Sequence, residues 1–150
     1  MMHQNLSKKV EILLVEDNPA DQRLVKEALK DGKITNNLHI VDDGVKAIQY
    51  LRKEGEYASA PVPDLVLLDL NLPRKDGREV LHEVKSDIGL RHIPVVVMTV
   101  SADEKDVWAA YGNCANCYIQ KPLNFERFTE IVRSVEDFWF TIVRLPGKGR

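Results

Sequence analysis

Short runs of apolar and β-branched residues recur along this chain, each followed by a segment with helical spacing. That alternation constrains the fold more than any other feature. Val10-Glu11-Ile12-Leu13-Leu14-Val15, Leu65-Val66-Leu67-Leu68 and Pro94-Val95-Val96-Val97-Met98 are almost continuously apolar. A strand with one wet face alternates polar and apolar residues, whereas one covered on both faces need not, so these runs read as central strands of a parallel sheet. Leu38-His39-Ile40-Val41 is more mixed and reads as an edge strand, and Cys117-Tyr118-Ile119 as a short fifth one.

The intervening segments carry helix signals. Asn18 offers a cap, Pro19 suits the first helical position and Asp21 falls in the first turn. Leu24, Val25, Ala28 and Leu29 then form an inner stripe, and Gly32 stops the helix. Val45, Ala47, Ile48 and Leu51 mark a second helix ending near Gly55, followed by a long loop from Glu56 to Pro63. Asp76-Gly77 opens a third, with Val80, Leu81 and Val84 inward, and further helices are expected over 103–111 and 124–143. Five β-α units with short connections predict an α/β fold: a doubly wound five-stranded parallel sheet with helices on both faces.

The chain has 150 residues, 44% hydrophobic and 29% charged, which suits one soluble domain. We expect a flexible N-terminus over 1–9, the domain over 10–143 and a short tail over 144–150. A net charge of −2 argues against nucleic acid as a partner. No apolar run approaches the roughly 18–20 residues of a membrane span, and the start lacks a signal peptide's apolar stretch, so a cytoplasmic protein is expected. Cys114 and Cys117 stand at a loop-to-strand junction with no histidine nearby in sequence, which favours a structural role over redox or zinc chemistry.

In open α/β sheets, ligands bind beyond the carboxyl ends of the strands. There stand Glu16 and Asp17 after strand one, Asp69 and Asn71 after strand three, Thr99 at the end of strand four and Lys121-Pro122 after strand five. Carboxylates about 4 Å apart repel by roughly 4 kcal/mol per pair at an effective dielectric near 20. Three of them need a cation, and a sparse all-oxygen set suits Mg2+, with Mn2+ as a substitute. Asp69 can then act as a nucleophile toward phosphorus, while Lys121 and Thr99 can meet the phosphoryl oxygens.

Leu14-Val15-Glu16-Asp17-Asn18, Leu67 to Pro73 with Asp69 at its centre, Asp76-Gly77, Thr99 and Tyr118-x-x-Lys121-Pro122 together resemble the response-regulator receivers of two-component signalling, over roughly residues 10–140. The resemblance implies a flavodoxin-like (βα)5 fold with strand order 2-1-3-4-5. It implies that Asp69 accepts a phosphoryl group from the phosphohistidine of a sensor histidine kinase. Asp17 and Asp69 would hold Mg2+ directly, Glu16 through water and Asn71 by its backbone carbonyl. Thr99 and Tyr118 would be the switch pair, and Lys121-Pro122 the family's cis peptide. Such a protein takes part in phosphotransfer and slow self-dephosphorylation without being an enzyme that turns over a separate substrate.

The loop Gly55-Glu56-Tyr57, the run Asp76 to Leu81 and the ending from Phe138-Trp139 to Leu145-Pro146 are similar to small response regulators paired with cyanobacterial phytochromes. One departure stands out. The residue after the switch threonine is usually small in receivers, and here it is Val100, whose branched side chain narrows access to the phosphoryl group and predicts slow self-hydrolysis. In the last helix, Phe138, Trp139 and Phe140 are consecutive, so 100° steps spread them around the circumference. They suggest a homodimer or partner surface. Two rival readings stay open. A haloacid-dehalogenase-like phosphatase would want a second acid where Asn71 stands, and a pseudo-receiver would bind partners without phosphate.

Overall fold

The computed structural model describes residues 9–30, 35–99, 117–120, 126 and 129–130. Val10–Val15 forms β1, Asn36–Val41 β2, Leu65–Asp69 β3, Val95–Thr99 β4 and Cys117–Gln120 β5. They make one five-stranded sheet in the order β2-β1-β3-β4-β5, with every pairing parallel. The expected order and the edge position of β2 are both observed.

The apolar runs divide cleanly between the two faces because side chains in a strand alternate. Leu13, Val15, Val66, Leu68, Val95 and Val97 join one core cluster. Two helices cover that face: α2, Gly44–Leu51, through Ala47, Ile48 and Leu51, and α3, Gly77–Ser86, through Val80, Leu81 and Val84. Ile12, Leu14, Leu65, Leu67, Val96 and Met98 turn to the other face. There they meet Val25, Ala28 and Leu29 of α1, Pro19–Lys30. Burying one such Val or Leu contributes roughly 1.5–3 kcal/mol, which outweighs any local propensity and fixes the register of the central strands.

Helix starts follow the expected capping chemistry. The side chain of Asn18 accepts from the amides of Ala20 and Asp21 at 2.9 and 3.1 Å. Asp76 accepts from Arg78 N while Glu79 returns a bond to Asp76 N at 3.0 Å, a complete capping box. Glu79 and His82 are both solvent-exposed and mark the wet face of that helix.

Three boundaries differ from the sequence expectation. The second helix ends at Leu51, with Lys53 at φ 56° just beyond it. There Lys53 N donates to Tyr50 O and Glu54 N to Gln49 O, the bond pair of a Schellman stop, with a lysine where glycine is usual. β2 begins two residues before the apolar run because Asn36 and Asn37 spend their side chains on Leu29 O and Glu11 Oε2, freeing the backbone to pair. Within the loop before β3, Gly55–Tyr57 forms a single 3-10 turn. The helices expected over 103–111 and, for the most part, 124–143 lie outside the described residues. Among those described, no helix is long and apolar enough to cross a membrane.

Candidate functional site

Register determines which side chains meet. Val15 pairs with Leu68 across β1 and β3, so the next residue of each strand, Glu16 and Asp69, emerges side by side at the carboxyl edge. Glu16, Asp17 and Asp69 each bring a carboxylate oxygen to within 4.8 Å of the others. Glu16 is fully buried, Asp69 is 3% exposed, and Asp17 is exposed toward solvent.

Glu16 and Asp69 are each held by the loop that follows their strand. The backbone of Glu16 is tied to β2 by Glu16 N to Val41 O at 3.0 Å. Gln22 Nε2 donates to Glu16 O at 2.6 Å, and Asn18 N donates to Glu16 Oε2 at 3.1 Å, so α1 starts directly from the site. Asp69 ends β3, and its Oδ1 accepts from Asn71 N at 2.9 Å, a short Asx turn that orients the carboxylate. Leu70 N donates to Met98 O, which keeps the chain on the sheet for one residue past Asp69. Gly77 N then donates to Leu70 O at 3.0 Å, and a side chain at Gly77 would collide with the backbone of Asp69 and Leu70. Glycine is required there by close approach alone.

The donor set is all oxygen and clusters on one side, two of its members are buried, and one arm opens to water. Buried carboxylates at this spacing are costly unless a cation is added. Hard divalent ions that keep several waters fit such a set, and Mg2+ or Mn2+ is the match.

The remaining expected site residues are only partly placed. Asn71 follows the Asp69 turn with its side chain exposed. Thr99 ends β4 and pairs with Gln120, and Tyr118 pairs with Val97 on the neighbouring strand. Lys121, Pro122, Val100, Cys114, Phe138, Trp139 and Phe140 lie outside the described residues.

Sequence reasoning passed over Asp43. It is 6% exposed, caps α2 by accepting from Lys46 N at 2.7 Å, and its Oδ2 lies 3.7 Å from Arg74 in the loop after Asp69. Its signal was available: an acidic residue before a glycine and an apolar helical stripe, in Asp43-Gly44-Val45.

Comparison with known proteins agrees with this geometry. The family model for the response regulator receiver domain matches residues 12–133. Response regulator Rcp1 of Synechocystis sp. is 50% identical over 136 residues, covering 91% of this chain and 92% of that protein. The crystal structure of the phosphorylated cyanobacterial phytochrome response regulator RcpA superposes with a TM-score of 0.82 at 51% identity, covering 89% of this chain and 96% of that one. The Mn2+-bound form of Rcp1 gives 0.82 at 50% identity, over 91% of this chain and 99% of that one.

Proposed function

The chain belongs to the response regulator receiver family, and from that premise we propose that Asp69 takes a phosphoryl group from the phosphohistidine of a sensor histidine kinase. The observation that carries this reading is the convergence of Glu16, Asp17 and Asp69 within 4.8 Å at the carboxyl ends of β1 and β3. In the transfer, a carboxylate oxygen of Asp69 bonds to phosphorus while the phosphorus–nitrogen bond of the donor breaks. The electron pair stays on the imidazole nitrogen, which takes up a proton.

Asn71 N–H holds the Asp69 carboxylate in one orientation, so the reaction starts from a preset geometry. Glu16, Asp17 and Asp69, with the backbone carbonyl of Asn71, would hold a divalent ion. A bound Mg2+ supplies the positive charge that offsets the clustered carboxylates and the incoming phosphoryl oxygens. Lys121 and Thr99 meet those oxygens. The new adduct adds roughly −1.5 to −2 charges, to which Thr99 and Tyr118 respond, shifting the population of the surface built around β5.

The kinase is proposed to be a phytochrome, on the support of the relatives named above. The domain runs over 10–143, works in the cytoplasm and pairs with a second copy through Phe138, Trp139 and Phe140. Incubation with acetyl phosphate and Mg2+ tests the central claim. An acid-stable, alkali-labile adduct should form on the wild type and be missing from Asp69→Asn. An unmodified wild type, under conditions where the protein binds Mg2+, would point instead to a receiver-like binding module.

A further inference from the structure

The loop that follows Asp69 runs from Leu70 to Asp76, and one of its seats is the N-terminus of α2. Gly44 N donates to Pro73 O at 3.5 Å, and a Cβ at Gly44 would run into the carbonyl and side chain of Lys75. Arg74 takes φ 67°, the left-handed region that a side-chain-bearing residue adopts only when its surroundings hold it there. Its guanidinium lies 3.7 Å from Oδ2 of Asp43, whose other oxygen is already committed to capping α2. Lys75 is paired with Glu83 of α3. The loop is therefore pressed onto α2 through a bare backbone contact at Gly44, while its other end is fixed by Gly77 against Asp69.

We propose that Gly44 and the left-handed backbone at position 74 position the divalent cation: they set the height of the loop after Asp69, and with it the placement of the Asn71 backbone at the carboxylate cluster. The inference rests on the metal reading given under the proposed function. Neither residue touches the ion. Each acts through the backbone of residues 71–75, so a change at position 44 reaches the site even though 44 and 69 stand on different βα units.

The test measures Mn2+ affinity of the whole chain by calorimetry and, without metal, hydrogen-exchange protection of the Asn71 amide, which reports its bond to Asp69. Gly44→Ala forces the loop off its seat, and Arg74→Val puts a β-branched residue where φ is positive. Both should weaken Mn2+ binding by roughly 10-fold or more, the range seen when supports of metal ligands are removed. Both should also lose Asn71 protection, and at saturating Mg2+ the acetyl phosphate reaction should recover close to its full maximal rate. Arg74→Gly keeps the left-handed backbone and should bind within about twofold of wild type, since an exposed ion pair counts for little.

Gly55→Ala is the structural control. Gly55 also has positive φ, at 58°, but a Cβ there meets open space. It should lower stability and leave both site readouts unchanged. If Gly44→Ala does not fold, Arg74→Val on its exposed loop residue decides alone. Wild-type Mn2+ affinity and Asn71 protection in folded Gly44→Ala and Arg74→Val would overturn the proposal, as would an equal loss in Gly55→Ala. A wild type that binds no Mn2+ would instead overturn the metal reading, and Asn71 protection would then decide the placement of the loop by itself.

Discussion

The two ends of the sheet both carry carboxylates, and they treat them in opposite ways. At the amino end, Glu11 sits on the face covered by α2 and accepts from Asn37 Nδ2 at 2.9 Å, with His39 Nε2 at 3.0 Å on its other oxygen. Asp64 accepts from Glu11 N at 2.8 Å and returns its own amide to Glu11 O. The His39 ring in turn lies 5.9 Å from Tyr50, whose ring is tilted against that of Tyr57 at 5.3 Å. At the carboxyl end, Glu16, Asp17 and Asp69 face one another instead. The first arrangement is closed by donors from neighbouring strands and serves stability. The second concentrates like charge beside a solvent-exposed arm and serves a ligand that the chain itself does not provide.

The largest effect that would separate the ends is at Asp69. Asp69→Asn removes the proposed nucleophile, so adduct formation should fall below detection, measured with acetyl phosphate and Mg2+ by intact mass. Removing Glu11 should leave that signal untouched. Loss of the adduct in Glu11→Ala, with the protein still folded, would show that the two ends are coupled.

Part of this contrast is legible in the sequence and part is not. Runs such as Leu65 to Leu68 announce a central strand because burial on both faces removes polar alternation, and the acids just past them mark the candidate site's edge by position alone. Asn18 and Asp76 are readable as caps because capping is a local contact. Gly44 is not readable in the same way. The atoms it would strike belong to Lys75, thirty-one positions on, and only the tertiary fold brings them together. The helix end at Lys53 escaped because a Schellman stop normally announces itself with glycine. Glu11 stands alone among apolar residues in the sequence, and its partners on β2 become evident only once the register Glu11↔Asn37 is known.

Asp17→Asn should give the next largest effect, with opposite signs in two measurements. A divalent ion stabilises the fold by about 2.7 kcal/mol at 100 times its dissociation constant. Replacing a proposed direct ligand should weaken Mg2+ binding by at least roughly 10- to 100-fold, so most of the Mg2+-dependent rise in melting temperature should vanish. In chelator, however, the variant should be more stable than wild type. Asp17 is exposed, so the repulsion relieved lies nearer the water limit, about 1 kcal/mol, than the buried one. A variant less stable than wild type without metal would mean that Asp17 is held by donors as Glu11 is.

Glu11→Ala sharpens the other side. It strips an acceptor from both Asn37 and His39 in a half-buried setting, where a lost partner costs about 1–3 kcal/mol. Urea unfolding should show a loss of that size at pH 7, with Mn2+ affinity unchanged. An undiminished midpoint would mean that solvent replaces the carboxylate at no cost, and the amino end would no longer count as closed.

The effect that is smallest at pH 7 lies in the same cluster and grows only in alkali. The hydroxyl oxygen of Tyr50 is buried and finds no hydrogen-bond partner among the described residues. Burial, then the negative charge of Glu11 and the neighbouring Tyr57, push its ionisation up to about 12 from 10.0. The folded state therefore holds the phenol proton more tightly than the unfolded chain does. Stability from this group is complete below pH 10 and drains away as pH climbs through the folded value near 12. At about 1.4 kcal/mol per unit, the whole loss approaches roughly 2–3 kcal/mol at the top of that window. Tyr50→Phe removes the titration and the orphaned hydroxyl together. It should leave stability at pH 7 unchanged or slightly raised and flatten the decline measured between pH 10 and 12. A drop at neutral pH would mean that the hydroxyl has a partner, and that this end of the sheet is tied together by one more bond than the carboxylates alone provide.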